Sequence, residues 1–313
     1  MRASIDYTLA HLKHNKLKMQ IISTFYELEC GERMDLLRET RRILSLYKVT
    51  PRKKIGQNFV VDTSLLHRMV SYASISREDT VLEVGAGLGF LTEILAERSK
   101  HVIAVDVDSR LVKLLKERLH NLGNISILRG DILKLIVPPF NKVVSTPPYP
   151  ISSPLLLWLL EKKFDCAILT FQKEFAERLV ASPGSKDYGR LTIATYHRTN
   201  VELLDYVFRE MFWPPPDVDS IIVRIRLREP PPFKVKDEDI FFKIVRALFS
   251  QRNRKVRNAI MPFLNELKIC RGDAMELAKL IPFHNSRTRE LTPEEIGLIA
   301  DVLLSKVHEK GIL

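Results

Sequence analysis

The feature that most constrains the fold is a short apolar run, residues 81–84, which opens into three glycines at alternate positions. Val81, Leu82 and Val84 are typical of a buried parallel strand, and residues 91–96 begin a helical pattern after the turn. Glycine adopts backbone angles that other residues avoid, so the main chain stays bare where a ligand can approach it. A strand, a glycine turn and a helix in this order place a helix N-terminus at the edge of a sheet, where nucleotide-like ligands bind.

The spacing of the glycines indicates which ligand is bound. Gly85, Gly87 and Gly89 form the pattern GxGxG, whereas a dinucleotide fingerprint needs its third glycine where this chain has Phe90. GxGxG is the form common in methyltransferases that use S-adenosylmethionine (SAM). The same glycines can also form a plain tight turn without a ligand, so the interpretation depends on the rest of the sheet.

Polar residues follow three further predicted strands. Asp106 ends one strand, Asp131 follows a strand over 125–128, and Thr146 follows a strand over 142–144. A carboxylate at 106 can accept hydrogen bonds from both hydroxyl groups of a ribose, and one at 131 can accept from the amine of an adenine. Each acid alone is more often a loop or cap residue. Together they predict a cofactor site, because the carboxyl ends of parallel strands meet at one edge of a sheet.

Strands alternate with helical patterns from Thr80 onward, which predicts an α/β fold: a Rossmann-like, mostly parallel sheet with helices on both faces. The prolines at 230–232 form a stiff linker, and the residues beyond them show helical patterns alone. We therefore predict a SAM-dependent methyltransferase domain over 34–229 and a small, all-helical RNA-binding domain over 230–313. Residues 1–33 are either an N-terminal extension of unknown role or the product of a misplaced start codon.

The charge of the chain favours a polyanionic partner. Its 313 residues carry a net charge of +11 and a pI near 9.5, which indicates nucleic acid before membrane, with solubility alone as the alternative. Cys30, Cys166 and Cys270 are far apart and lack metal-ligand spacing, so we expect no metal site and no disulfide framework. Since no signal peptide or membrane-spanning run is visible, we expect a cytoplasmic protein.

A basic loop precedes the first helix of the predicted methyltransferase domain. Arg52, Lys53 and Lys54 are consecutive cations, which can contact phosphates or form a solvated loop. Gln57 and Asn58 follow them. Their amides can bind a cofactor carboxylate or hydroxyl, or they can bond their own backbone as turn amides usually do.

A second loop, Thr146–Tyr149, contains two prolines that hold its backbone extended. Tyr149 offers an aromatic face on which a planar base can stack. Proline pairs recur elsewhere in the chain, so the informative feature is the position of this pair directly after the fourth predicted strand.

Seven segments together give the chain a specific resemblance. They are PRKKIGQNF at 51–59, EVGAGLG at 83–89, GD at 130–131, PPYPISSP at 147–154, KDYGRL at 186–191, FWPPPDVDS at 212–220 and FSQRNRKVRN at 249–258. From about residue 34 to its C-terminus, the chain resembles archaeal members of the KsgA family of small-subunit rRNA adenine dimethyltransferases, relatives of the erythromycin-resistance rRNA methyltransferases. The last three segments are the most diagnostic, because generic methyltransferases lack them.

The resemblance implies roles for particular residues. In this family the residues that match Asn58, Val60, Gly85, Asp106 and Asp131 hold SAM. The target adenine is expected between Tyr149 and Phe212. Together with the reasoning from the residues themselves, the predicted cofactor contacts are Gln57, Asn58, Val60, Gly85, Gly87, Asp106, Asp131 and Thr146.

One catalytic position departs from the family. The usual tetrad is Asn-Leu-Pro-Tyr, whereas this chain has Thr146, Pro147, Pro148 and Tyr149. An adenine amine is a poor nucleophile, and acceptors that bond both of its hydrogens favour the geometry of attack. Thr146 Oγ can accept but sits on a shorter side chain and can bond locally, so the Pro147 carbonyl is the surer acceptor. We expect a transfer that is slower than usual or limited to one methyl group.

A second group of cations lies near the C-terminal end of the resemblance. Arg252, Arg254, Lys255 and Arg257 have no acid between them, and two of them are at helical spacing. Such runs are usually solvated helix faces. Because the segment is diagnostic of the family, we predict that these four residues contact RNA phosphates.

The implied function is SAM-dependent methylation of adenine N6, in the family's case dimethylation, in the 3′-terminal hairpin of small-subunit rRNA. We expect a monomer that takes part in ribosome maturation. Two alternatives remain open from the sequence. One is an assembly factor that binds RNA without turnover; the other is a DNA-adenine or protein-glutamine methyltransferase, which would not be expected to carry the segments at 212–220 and 249–258.

Overall fold

The structure, a computed structural model, describes residues 35–310, so the predicted extension over 1–33 lies outside the described residues. Within them the strands are β1 (Phe59–Val60), β2 (Thr80–Val84), β3 (His101–Asp106), β4 (Ile125–Arg129), β5 (Lys142–Ser145), β6 (Cys166–Gln172), β7 (Thr199–Val207), β8 (Phe212–Trp213) and β9 (Ser220–Leu227). The helices are α1 (residues 35–46), α2 (Thr63–Ala73), α3 (Phe90–Arg98), α4 (Ser109–Arg118), α5 (Ser152–Leu159), α6 (Lys173–Leu179), α7 (Arg190–Arg198), α8 (Glu238–Ser250), α9 (Val256–Ala259), α10 (Met261–Glu266), α11 (Arg271–Leu280) and α12 (Pro293–Glu309).

Seven strands form one sheet in the order β4-β3-β2-β5-β6-β9-β7. Strands β4, β3, β2, β5 and β6 run parallel to one another. Strand β9 runs antiparallel to β6. The predicted Rossmann-like, mostly parallel sheet is thereby confirmed. The chain moves outward from β2 through β3 to β4 and then returns to place β5 beside β2. The carboxyl ends of β2 and β5 therefore flank a switch point, where open sheets of this kind bind ligands.

The centre of the sheet is built from the apolar runs that the sequence shows. Leu82 and Ile103 are fully buried in adjacent strands, as expected where both faces of a parallel sheet are covered. Helix α2 packs against β6 and β5 through side chains that include the buried Met69. This helix begins where it does because the Asp62 carboxylate accepts a hydrogen bond from the Leu65 amide at 2.9 Å. Each such buried aliphatic side chain contributes about 1.5–3 kcal/mol.

A two-stranded ladder that the sequence analysis missed brings two loops together. Strands β1 and β8 pair antiparallel, with Phe59 opposite Trp213 and Val60 opposite Phe212. Each strand has two residues, which is too short for a periodic pattern to reveal. The ladder fixes the loop that precedes α2 beside the segment that carries Phe212.

The chain divides into two compact units. Among the described residues, one comprises 35–173 and Glu202–Ile225, and the other comprises Glu174–Val201 and 226–310. The second unit thus includes residues 174–201, which a single boundary at 229/230 assigns to the methyltransferase domain. The reason is that Tyr188 and Ile193 are fully buried in the same apolar core as Phe241 and Ile299 of the C-terminal helices. Burial across a long stretch of sequence leaves no local mark in that sequence.

Within residues 35–310, no helix has both the length and the apolar character needed to cross a bilayer. The same residues contain no cluster of three or more His, Cys, Asp or Glu side chains placed to hold a metal ion. Cys166 is buried and Cys270 is exposed, while Cys30 lies outside the described residues.

Candidate active site

A cavity of about 330 Å³ lies at the carboxyl ends of β2 and β3, beside the residues that follow β4 and β5. This volume falls within the range of about 300–1,000 Å³ typical of small-molecule sites. We call it the cofactor cavity. All eight predicted cofactor contacts lie in its wall: Gln57, Asn58, Val60, Gly85, Gly87, Asp106, Asp131 and Thr146.

The glycine turn forms one side of this cavity in a conformation that requires glycine. Gly85 has a φ of +78° and Gly87 a φ of +58°, both in the left-handed region. A Cβ atom on Gly85 would lie 2.9 Å from Cδ of Pro148, which belongs to the loop after β5. The bare backbone of the turn therefore packs directly against the proline loop, and no side chain fits between them.

Asp106 holds this turn in place. Its side chain is almost fully buried, Oδ2 accepts a hydrogen bond from the Gly87 amide at 3.0 Å, and Oδ1 accepts from the Asp108 amide at 2.8 Å. Burial raises the pKa of Asp106, and these backbone donors oppose that rise. A carboxylate has lone pairs for further donors, so Asp106 can order the turn and still accept from a ligand hydroxyl.

Gln57 and Asn58 both use their amides within the protein. Gln57 Oε1 accepts from the Arg52 amide at 2.8 Å, and its Nε2 donates to Asp108 Oδ2 at 3.1 Å. Gln57 thus ties the basic loop to the end of β3 from its place in the cavity wall. Asn58 Nδ2 donates to the Gly56 carbonyl at 3.4 Å, which is the own-backbone bond that the sequence left open.

Asp131 is bound to its own turn on one side. Its Oδ1 accepts from the Leu133 amide at 3.1 Å, and Oδ2 lies 4.0 Å from Nζ of Lys134. Asp131 is half-buried in the cavity wall, so a second acceptor position remains on the carboxylate.

Among the cavity-wall residues that the sequence analysis did not predict, Glu83 and Val107 are the most informative. Glu83 lies in β2, is fully buried, and accepts a hydrogen bond from the Thr92 hydroxyl at 2.6 Å. Burial raises its pKa to about 8. Val107, directly after Asp106, is 53% exposed and contributes an apolar surface to the wall. An acid inside an otherwise apolar strand was the available signal for Glu83, since perturbed carboxyls cluster at functional sites.

A second, narrow pocket adjoins the cofactor cavity. It is lined by Gly56, Asn58, Thr146, Pro147, Tyr149, Thr170 and Phe212, which include all four predicted catalytic residues. We call it the target-base pocket. Gly56, Asn58 and Thr146 line both spaces. Its volume is about 10 Å³, roughly the space of one water molecule and much less than a purine.

Tyr149 is anchored by a hydroxyl pair. Its hydroxyl lies 2.6 Å from the hydroxyl of Ser220 at the start of β9. Burial raises the pKa of Tyr149 to about 12, so the ring carries a neutral phenol at physiological pH. Ser220 belongs to the diagnostic segment 212–220, but nothing in the sequence showed that it would meet Tyr149, 71 positions away.

The basic loop points its three cations in different directions. Nη1 of Arg52 lies 3.8 Å from Oδ2 of Asp108, and Nζ of Lys53 lies 3.3 Å from Oδ1 of Asp217. Both Lys53 and Asp217 are highly exposed, so this ion pair contributes about 0–1 kcal/mol and can exchange for a phosphate contact. Lys54 lines the cofactor cavity.

In the second unit, the predicted cluster of cations does not form one helix face. Residues 252–254 lie in a turn after α8, and α9 begins only at Val256, because the Arg254 amide bonds the Gln251 carbonyl. Nη1 of Arg252 donates to the Lys186 carbonyl at 2.6 Å and so holds a neighbouring loop.

The other three cations of the cluster differ in how they are engaged. Arg257 donates to Asn285 at 2.9 Å. Arg254 and Lys255 are exposed, and no side-chain hydrogen bond or ion pair engages either of them within residues 35–310. These two are therefore the members of the cluster best placed to meet phosphates.

The fold and the paired spaces define a class of protein: a Rossmann-like SAM-dependent methyltransferase with an aromatic pocket beside its cofactor cavity. Residues 49–271 match the ribosomal RNA adenine dimethylase family. The chain therefore belongs to the ribosomal RNA adenine dimethylase family.

Individual relatives agree with this assignment. The chain is 44% identical over 265 residues to a probable ribosomal RNA small subunit methyltransferase A of Methanosarcina acetivorans, a match that covers 84% of this chain and 97% of the relative. Among solved structures, it is similar to a dimethyladenosine transferase from Plasmodium falciparum, with a TM-score of 0.68, 30% identity, and coverage of 81% and 98%. It is also similar to the 23S rRNA methyltransferase ErmE, with a TM-score of 0.58, 28% identity, and coverage of 79% and 99%. The resemblance stated from the sequence is confirmed, as are the enzyme class and the SAM cofactor.

Proposed function

We propose that this protein transfers methyl groups from SAM to N6 of adenine in the 3′-terminal hairpin of small-subunit rRNA. The observation that carries the proposal is the junction of the two spaces at Thr146. A cavity of cofactor size and a pocket lined by two aromatic rings share this residue, so a methyl donor and a base can meet there. The family assignment and the net charge of +11 support RNA as the substrate.

The residues of the cofactor cavity fit SAM. The backbone of the glycine turn allows close approach, the Asp106 and Asp131 carboxylates retain acceptor positions for hydroxyl and amine donors, and Val107 offers apolar surface to a planar base. Asp106 supplies an acidic group in the wall for a cationic ligand. When bound, SAM supplies an electrophilic methyl group.

The chain's own contribution to the chemistry is to orient the amine. Thr146 and Pro147 line the target-base pocket, and we expect Thr146 Oγ and the Pro147 carbonyl to accept the two amine hydrogens. An adenine amine attacks through its lone pair, so this pair of acceptors favours the pyramidal geometry without a strong base. Tyr149 contributes its ring face and not a titrating hydroxyl, because its pKa is about 12.

The target base must leave its stack and enter a pocket that is closed in this structure. Extruding a base costs a few kcal/mol, less in an open loop, and stacking on an aromatic ring returns about 1–3 kcal/mol. The rings of Tyr149 and Phe212 must separate to admit the purine, since the pocket holds about 10 Å³. An unpaired adenine in a hairpin loop is therefore the favoured substrate.

The finer features of the function belong to the same proposal. We expect the enzyme to act as a monomer in the cytoplasm during maturation of the small subunit. Threonine at 146 leads us to expect that the first methyl group is added faster than the second, because the hydroxyl is held on a shorter side chain than the family's asparagine.

The deciding experiment is mass spectrometry of nucleosides from unmethylated small subunits treated with the protein and SAM. We expect N6-methylated adenosine, and the dimethylated form on longer incubation. A protein that binds SAM and RNA but leaves adenosine unmodified would instead be an assembly factor. Equal methylation of a DNA competitor would contradict the choice of RNA.

A further inference from the structure

Two aromatic rings lie exposed at the end of β7. Tyr206 is 40% exposed and Phe208 is 38% exposed, and their ring centroids lie 5.2 Å apart with planes inclined at 64°. Val218, 45% exposed, belongs to the segment that follows Phe212. Single exposed apolar side chains are ordinary, but two aromatic rings in contact form a patch that indicates a binding surface.

Cations accompany the rings. Nζ of Lys173 lies 5.3 Å from the centroid of the Tyr206 ring, and the exposed side chain of Arg209 follows Phe208 directly. Aromatic planes with basic side chains beside them are the means by which proteins hold unpaired nucleotides: the base stacks and the phosphate meets a cation. An apolar protein partner would gain nothing from the cations. We call Tyr206, Phe208, Lys173 and Arg209 the aromatic platform.

Asp219 connects the aromatic platform to the target-base pocket. Its carboxylate accepts from the Tyr206 hydroxyl at 2.8 Å and from the Arg209 amide at 2.8 Å, and its carbonyl accepts from the Lys173 amide at 3.0 Å. The next residue, Ser220, bonds the Tyr149 hydroxyl. One short segment therefore holds both the platform and an aromatic wall of the pocket, so their separation is set by the backbone.

We propose that the aromatic platform binds an unpaired nucleotide that neighbours the methylated adenine, with its base stacked on Phe208 and its phosphate near Arg209 or Lys173. The inference rests on the proposed function, since it requires the target adenine to enter the target-base pocket. An extruded base leaves its neighbour without a stacking partner on that side. A ring outside the pocket offers the neighbour a replacement partner and so lowers the free energy of the extruded state.

The test combines protein variants with a changed RNA. The probe is a synthetic RNA hairpin with a single adenosine in its loop, together with two hairpins in which the loop nucleotide on one side or the other of that adenosine is abasic. Phe208→Ala removes the ring, and Phe208→Tyr keeps a ring. Leu203→Ala is the matched control, because Leu203 is 37% exposed on β7, and the two-residue period of a strand places it on the opposite face from Tyr206.

For Phe208→Ala we expect the Kd of the intact hairpin to rise on the order of 5- to 150-fold, the range that base stacking supplies. Wild type should bind one of the two abasic hairpins with a similarly raised Kd. Phe208→Ala should not raise the Kd of that hairpin any further. Phe208→Tyr should bind within about twofold of wild type, since stacking is tolerant of ring type. Leu203→Ala should be unchanged, as should the Kd for SAM in every variant.

Equal binding of the intact hairpin by Phe208→Ala and wild type would overturn the inference. The inference would also be overturned if Phe208→Ala lowered the affinity for the intact hairpin and for both abasic hairpins by the same factor. Phe208 would then support the structure of the protein and would not stack on a base. If wild type neither binds SAM nor methylates the hairpin, the proposed function fails by that measurement alone. The inference then fails with it only if the dependence on the neighbouring base is also absent.

Discussion

The cofactor cavity and the target-base pocket share Thr146 but are built from different materials. The cavity, about 330 Å³, is walled by the backbone of a glycine turn whose angles only glycine adopts easily. The pocket, about 10 Å³, has Tyr149 and Phe212 among the residues that line it. Backbone held by a sheet keeps its shape, whereas side chains can rotate. From this difference we expect the cofactor site to be formed before binding and the base site to open during binding.

The largest expected effect is on the cofactor cavity. Gly85→Ala places a Cβ 2.9 Å from the Pro148 ring at a φ of +78°, so the turn or the proline loop must move. We expect the Kd for SAM, measured by calorimetry, to rise on the order of 100-fold, the loss that a shift of about 1 Å can produce. Gly123→Ala is the control, because its Cβ would meet nothing within 4 Å. Unchanged SAM binding by Gly85→Ala would show that this wall is not rigid.

The second-largest expected effect is on the target-base pocket. Phe212→Leu keeps an apolar side chain at a position that is 4% exposed but removes the ring. We expect kcat/KM for methyl transfer to RNA to fall roughly tenfold, within the range of base stacking, while the Kd for SAM stays the same. Phe164→Leu, at a site 6% exposed in the same unit, should leave both quantities unchanged. A parallel loss of SAM affinity in Phe212→Leu would mean that the two spaces are not independent.

A smaller effect is expected where the two spaces meet. Thr146→Asn restores the family's amide, and one additional net hydrogen bond of about 0.5–1.5 kcal/mol corresponds to a rise in kcat of roughly 2- to 12-fold. Thr146→Val keeps the shape of threonine but removes the acceptor, so kcat should fall by a similar factor. Single-turnover rates measure both variants. Equal rates for the asparagine and valine variants would exclude a side-chain acceptor at this position.

The smallest expected effect tests whether water is excluded from the wall of the cofactor cavity at Glu83. The pKa of Glu83 is raised from 4.5 to about 8 by burial, so the folded state binds this proton more tightly than the unfolded state does. Stability from this group is therefore greatest below about pH 4.5 and is lost as the pH rises toward 8. Glutamine cannot ionise, so Glu83→Gln should lose less Tm than wild type between pH 6 and pH 9, by at least about 2 °C.

The control for this prediction is Glu97→Gln, a change on the exposed side of α3. It should follow the wild-type dependence of Tm on pH. If wild type and Glu83→Gln lose the same Tm over this range, then the carboxyl is solvated and the cavity wall is wetter than its burial indicates.

The sequence predicted the fold well because the relevant patterns are local. The apolar run at Val81–Val84 and the strand at His101–Asp106 lie where their patterns indicate. The same reasoning failed for β1 and β8, whose two residues show no period. The single domain boundary at 229/230 stays a prediction. Residues 174–201 share a core with the C-terminal helices, and contacts between distant segments are not visible in either segment alone.

For the candidate site, the sequence identified which residues line it better than it identified which groups each of them contacts. Asp106 and Gly87 were both expected to bind a cofactor, and the structure shows that they also bond each other. Gln57 was predicted to contact the cofactor and lies in the cavity wall, where its amide also bonds the Arg52 backbone and Asp108. A side chain's partners depend on which segments the fold brings near it, so residue type and spacing indicate what a group can do and not what it is doing.

By itself the sequence determined the longer individual strands, the glycine turn, the acids at strand ends and the family to which the chain belongs. These depend on short-range periodicity, on backbone angles and on spacing within single segments. Only the tertiary structure decided that Tyr149 meets Ser220, that Glu83 is buried in a cavity wall, and that Thr146 stands where two spaces join. Those outcomes require residues from separate segments to meet, and the physical cause of each meeting is the packing of the whole sheet.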